Sequence, residues 1–177
     1  KNNKQKRIPE HLAAKRRARK RLVQALYQWQ MNKSPVNEIV SQFLTEQDMG
    51  KVDQPFFQKS LHSIVDNMEQ IEAEIMPLLE RSTYSVGAVE RAIMMIGIFE
   101  LQNHIETPYK VILNEAIELA KQYGGEGAHT FINGTLHKAS KKIVAFGTLE
   151  ACSRRFCVFT KTTQGYVFYL DEYSLRT

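Results

Sequence analysis

Arg16, Lys20, Val23 and Tyr27 recur at spacings of four, three and four, so they share one side of a helix, with Arg17 and Arg19 flanking the row. Guanidinium and ammonium groups neutralise phosphates, and an aromatic ring beside them offers a face on which an unpaired base stacks. A second row repeats the combination in Phe131, Thr135, Lys138 and Lys142, off the apolar line of Ile132, Leu136 and Ala139. The chemistry on offer is recognition of single-stranded nucleic acid. A solvated helix face with a half-buried tyrosine would account for one such row. Two rows and a basic N-terminus favour RNA.

The residues that could catalyse are not arranged to do so. The five histidines include no His-Glu-x-x-His pair, and His129 and His137 lie eight apart with no carboxylate or cysteine to complete a metal site. No serine or cysteine sits in a nucleophile elbow. Gly124, Gly125 and Gly127 stand before a helix, where bare amides can hold a phosphate. Without a nucleotide-binding fingerprint, however, they read better as the turn between two helices. The expectation is a protein with no catalytic centre, metal or cofactor.

Charge is unevenly distributed. Residues 1–21 carry a net +9, residues 22–143 a net −5 and the remainder +1, within a total of +5. A basic arm on an acidic body points to a polyanionic partner. Cys152 and Cys157 match neither a redox pair nor a zinc half-site, which suits a reducing compartment. No apolar run approaches the ~20 residues of a membrane span, and no signal-peptide pattern follows the basic start. A soluble, cytoplasmic protein without a membrane partner is expected.

The elements that must position these rows are helices. Periodicity predicts a first helix over residues 12–31 and a second from Ser34-Pro35, with serine as its cap. A third starts at Asp53 and runs on to Pro77. The next, capped by Ser85, is apolar on nearly every side except at Glu90, Arg91 and Glu100, and so belongs in the centre. Thr107-Pro108 opens another, ending at Gly124-Gly125, and the last spans about 128–143. Over residues 144–177 the runs 156–160 and 166–170 are aromatic and β-branched around a Thr-Gln-Gly turn. That composition fits either a hairpin or a disordered extension. The fold class is thus all-α, a bundle of six to seven helices, organised as a basic flexible arm (1–12), a helical RNA-binding domain (13–143) and an extension without assigned role (144–177).

Three ordered segments, Val23-Gln24-Ala25-Leu26-Tyr27-Gln28-Trp29-Gln30, the run from Pro108 to Lys121, and Phe131-Ile132-Asn133-Gly134-Thr135-Leu136, resemble the NusB family of transcription antitermination factors. The resemblance covers roughly residues 13–143. It implies two packed helical subdomains, binding of single-stranded boxA RNA, and pairing with the small-subunit ribosomal protein that acts as NusE. Other Nus factors and RNA polymerase would be engaged indirectly, suppressing termination notably in ribosomal RNA operons. By position, Lys15, Arg16, Arg17 and Arg19 match the family's RNA-contacting start, and Phe131 an aromatic of its RNA-facing last helix. Lys20, Lys138 and Lys142 join that surface from the two rows. Tyr27 and Glu90 match positions facing the ribosomal protein, with Arg91 beside them. Gly127 stands where some relatives carry an acid, and the tail after Ile143 has no counterpart.

Two other functions compete. The same helical fold serves as the N-terminal domain of a ribosomal RNA cytosine methyltransferase, but the thirty-odd residues after the helices are too few for its cofactor domain. A helical adaptor that binds only proteins is the other. The sequence does not decide between monomer and homodimer.

Overall fold

The structure, a computed structural model, describes residues 8–79, 86–104, 106–154, 157–162 and 165–170, with side chains described through residue 143. Its helices are α1 (Glu10–Asn32), α2 (Val36–Glu46), α3 (Gln54–Asp66), α4 (Met68–Ile75), α5 (Ala88–Asn103), α6 (Tyr109–Tyr123) and α7 (Ala128–Arg154). The expected helical body is what the chain forms.

Prolines set three of the helix starts. Pro9, Pro35 and Pro108 occupy the N-cap positions of α1, α2 and α6, with ψ between 132° and 139° and no side-chain cap bond. Ser34 therefore does not cap α2. The carbonyls of Pro35 and Pro108 instead receive the first helical bonds, from Glu38 at 3.0 Å and Val111 at 2.8 Å. A proline's fixed φ suits a residue that must turn into a helix without donating. Asp53 caps α3 as expected, its carboxylate accepting from the Phe56 amide at 3.0 Å.

The helix expected to run from Asp53 to Pro77 is interrupted at Asn67. There the side-chain amide donates to the Ser63 carbonyl at 2.8 Å, and φ and ψ are −108° and 21°. Asparagine competes with the helix for its own backbone, which ends α3 and lets α4 begin. Pro77 then lies in a 3-10 turn, Met76–Leu78, as its missing donor dictates. The expected cap at Ser85 lies outside the described residues, and α5 begins after Gly87.

Two compact units divide the chain, residues 1–140 and 141–177. In the first, α1, α2 and α3 pack on one another, while α4 and α6 pack on α5, and α1 and α3 join the two groups by also packing on α5. Every residue from Ala92 to Leu101 is buried, so α5 has protein on all sides. Around it lie Leu22 and Leu26 of α1, Phe57 and Leu61 of α3, and Ile132 and Leu136 of α7, each fully buried. Gly97 lets α7 approach, because a Cβ there would lie 2.7 Å from a Leu136 methyl.

In the second unit, α7 continues to Arg154, beyond the expected end near Ile143. Residues 144–154 contain no proline, and Ala145, Leu149, Glu150, Ala151 and Arg154 favour a helix, so it continues despite Gly147. β1 (Cys157–Thr162) and β2 (Gly165–Leu170) form an antiparallel pair, Cys157 opposite Leu170 and Thr162 opposite Gly165. Of the two readings of the tail, the hairpin is the one seen.

Candidate nucleic-acid interface

The α1 row is not the open line of cations that spacing suggests. Arg19 is only 6% exposed and donates through Nε and Nη2 to the two carboxylate oxygens of Glu100, both at 2.7 Å. Glu100 is itself buried in the C-terminal half of α5. Burial alone would lower the Arg19 pKa, yet hydrogen bonds and charge from Glu100 raise it above the ordinary value. Arg19 also lies 3.6 Å from Glu115 of α6, so it joins three helices. This removes it from the exposed RNA-contacting set, because an arginine spent on a buried carboxylate has no face for a phosphate.

Arg16 sits one turn earlier and divides its role. Its Nε contacts both Glu115 oxygens at 3.0 Å, and Nη2 reaches Oε1 at 2.5 Å, while 42% of the side chain stays exposed. The hydrogen bonds to Glu115 hold the Arg16 pKa above its ordinary value. Arg16 and Lys20 line a cleft of about 280 Å3 with Glu118 and Lys121 of α6. Arg17 donates to the Lys51 carbonyl and to Glu10. Lys15 is half-buried with its ammonium 5.6 Å from the Phe56 ring centre. Arg16, Arg17, Lys15 and Lys20 thus remain at the surface, the first three held in place by neighbours.

On the α7 row, Ile132, Leu136 and Ala139 are buried, as their spacing predicts. Phe131 is half-buried and Lys138 exposed, and both line a groove of about 710 Å3 with Glu90, Thr130 and Gly134. Thr135, expected on the outer row, is 4% exposed, its hydroxyl turned back onto the Phe131 carbonyl at 3.0 Å. Lys142 is exposed and belongs to the second unit.

The fold thus brings Glu90, from the start of α5, into the same groove as Phe131 and Lys138, which sequence spacing could not show. Glu90 accepts from the Gly125 amide at 3.0 Å, so an internal carboxylate occupies the loop amide that might have held an anion. That favours the turn reading of the glycines. Gly124 is required by close approach, since a Cβ would meet the Ala120 carbonyl oxygen and the Ala128 methyl at 2.7 Å each. Gly127 adopts a φ of 74°, which disfavours other residues.

Tyr27, 44% exposed, opens onto a different groove of about 410 Å3, floored by Val23, Phe43 and Val89 and rimmed by glutamines. Val89 belongs to this groove and its neighbour Glu90 to the other, so the start of α5 divides them. Arg91 faces neither groove and pairs with Glu72 of α4 at 3.5 Å. Sequence reasoning missed Glu115 altogether. Glu100 left a signal, a lone carboxylate on the inner half of an otherwise apolar helix.

Comparison with known proteins places these features in a family. The model of the NusB family matches residues 16–141. The transcription antitermination protein NusB of Yersinia pestis (strain Pestoides F) is 44% identical over 131 residues, 74% of this chain and 95% of that protein. That of Yersinia pseudotuberculosis (serotype O:1b, strain IP 31758) matches to the same extent. Among solved structures, T. maritima NusB superposes with a TM-score of 0.67 at 26% identity, covering 82% of this chain and 99% of that one. The fold is also shared with NusB crystallised with NusE and double-stranded RNA, at a TM-score of 0.59 and 24% identity, over 72% of this chain and 96% of that one.

Proposed function

The chain belongs to the NusB family, and from that premise we propose that it is an RNA-binding antitermination factor. In this reading it binds boxA-type single-stranded RNA together with the ribosomal protein NusE in the cytoplasm, meets other Nus factors and RNA polymerase through them, and suppresses termination, notably in ribosomal RNA operons. No catalytic step is involved. The observation that carries the reading is the groove that joins Phe131 and Lys138 of α7 to Glu90 of α5, a stacking ring and a cation beside a carboxylate suited to a partner. Arg16, Arg17, Lys15 and Lys20 supply phosphate contacts from α1, and Lys142, in the second unit, is a further cation proposed to meet RNA.

Filter binding of a short single-stranded boxA RNA at two salt concentrations tests it. Affinity should fall steeply as salt rises, because each neutralised phosphate releases a counterion. Lys20→Gln should flatten the log-log salt slope by about 1 while leaving the melting temperature nearly unchanged. An affinity indifferent to salt leaves a protein-only adaptor.

The NusE contacts are assigned to Tyr27 in one groove and Glu90 in the other, with Arg91 as a support through Glu72. Glu90→Lys is expected to weaken NusE binding more than RNA binding by the free protein, since reversing a charge at an interface opposes a complementary partner. Glu90→Gln, which keeps an oxygen for the Gly125 amide, separates the lost charge from the lost hydrogen bond. Equal retention of NusE by Glu90→Lys and the native chain in a pull-down removes Glu90 from that surface.

A further inference from the structure

Gly134 lies in the interior of α7 and is exposed, yet none of the reasons that explain the other informative glycines applies to it. Its φ is not positive, unlike that of Gly127. A Cβ built on it meets no described atom within 4 Å, unlike one on Gly97, which would strike Leu136. Glycine is the poorest helix former after proline, so its presence here weakens the helix with no compensation inside the described fold.

What the position does have is a place in the groove. It follows Phe131 by three residues and precedes Lys138 by four, so the three share one face of α7. We propose that Gly134 is where bound RNA comes closest to the protein backbone, a base or ribose laid against Phe131 extending over the bare helix at this point. A methyl group would hold it away. This inference rests on the RNA-binding reading above and adds to it a residue that sets the depth of the site by having no side chain.

The test compares Gly134→Ala and Gly134→Leu with the native chain, using thermal melting and filter binding of the boxA single strand. Both replacements favour helix, and alanine should raise the melting temperature by about 1 to 4 °C. RNA affinity should nonetheless fall about ten-fold with alanine and further with leucine, within the range of losing one stacked base. Opposite signs for stability and binding are the signature, because a glycine needed for internal packing would lose both. A raised melting temperature with native RNA affinity overturns the proposal, and so does a lowered one. Loss confined to NusE binding also overturns it, by seating a protein on this face. If Phe131→Ala weakens RNA binding and the glycine variants do not, the proposal fails alone. If the native chain shows no salt-dependent RNA binding, the functional reading fails with it.

Discussion

Arg19→Ala is expected to lower the melting temperature by roughly 6 to 20 °C, the equivalent of about 3 to 5 kcal/mol for a buried ion pair stripped of one member. The substitution leaves the Glu100 carboxylate 2% exposed, with neither of its two hydrogen bonds at 2.7 Å. Solvent cannot take over, since Glu100 lies in a run of buried residues that includes Ile96, Ile98 and Phe99. Glu115 would lose a second cation and keep Arg16. Replacing both partners, as Arg19→Met with Glu100→Met, should recover much of the loss, because apolar groups of similar size leave no charge unpaired. Thermal melts of the single and double variants decide the matter. A melt within a few degrees of native for Arg19→Ala would show that Arg19 does not hold the fold. Joint replacement of Arg16, Arg17 and Arg19 would therefore confuse unfolding with lost RNA contact, and Lys20 is the cleaner probe.

Phe131→Ala is expected to do the reverse, weakening RNA binding by roughly 5- to 150-fold, the worth of about 1 to 3 kcal/mol for one stacked base. The melting temperature should stay within a few degrees of native. The buried face of α7 is already filled by Ile132, Leu136 and Ala139, whereas Phe131 is half-buried at the lip of the groove. A fully buried ring such as Phe57 would instead cost the fold about 3 to 5 kcal/mol on truncation. Paired melting and filter-binding measurements separate the cases. A drop in melting temperature comparable to that of a buried ring would return Phe131 to the core.

Elements whose cause is local were legible in the chain. Asp53 announces α3, the central place of α5 follows from its apolar run, and the spacing of Ile132, Leu136 and Ala139 marks the buried line of α7. Where a local competitor or a missing stop decides, the reading erred: Asn67 divides a helix whose apolar periodicity runs on, and α7 passes Ile143 because no residue there ends it. Thr135 has the spacing of an outer residue, but its hydroxyl satisfies itself on the Phe131 carbonyl and can be buried.

The sequence by itself determined that this is a helical protein with a basic start and with cations spaced along one side of α1 and of α7, because periodicity, charge and the family motifs are carried by neighbours along the chain. Only the tertiary structure decided which of those residues face outward. Arg16 meets Glu115 across 99 positions and Arg19 meets Glu100 across 81, so one arginine of the row became a buried strut and another a half-exposed contact held from behind. The physical reason is that spacing fixes the side of a helix on which a cation lies. Whether a phosphate or a carboxylate from another helix neutralises it depends on which helices the core packs against that side.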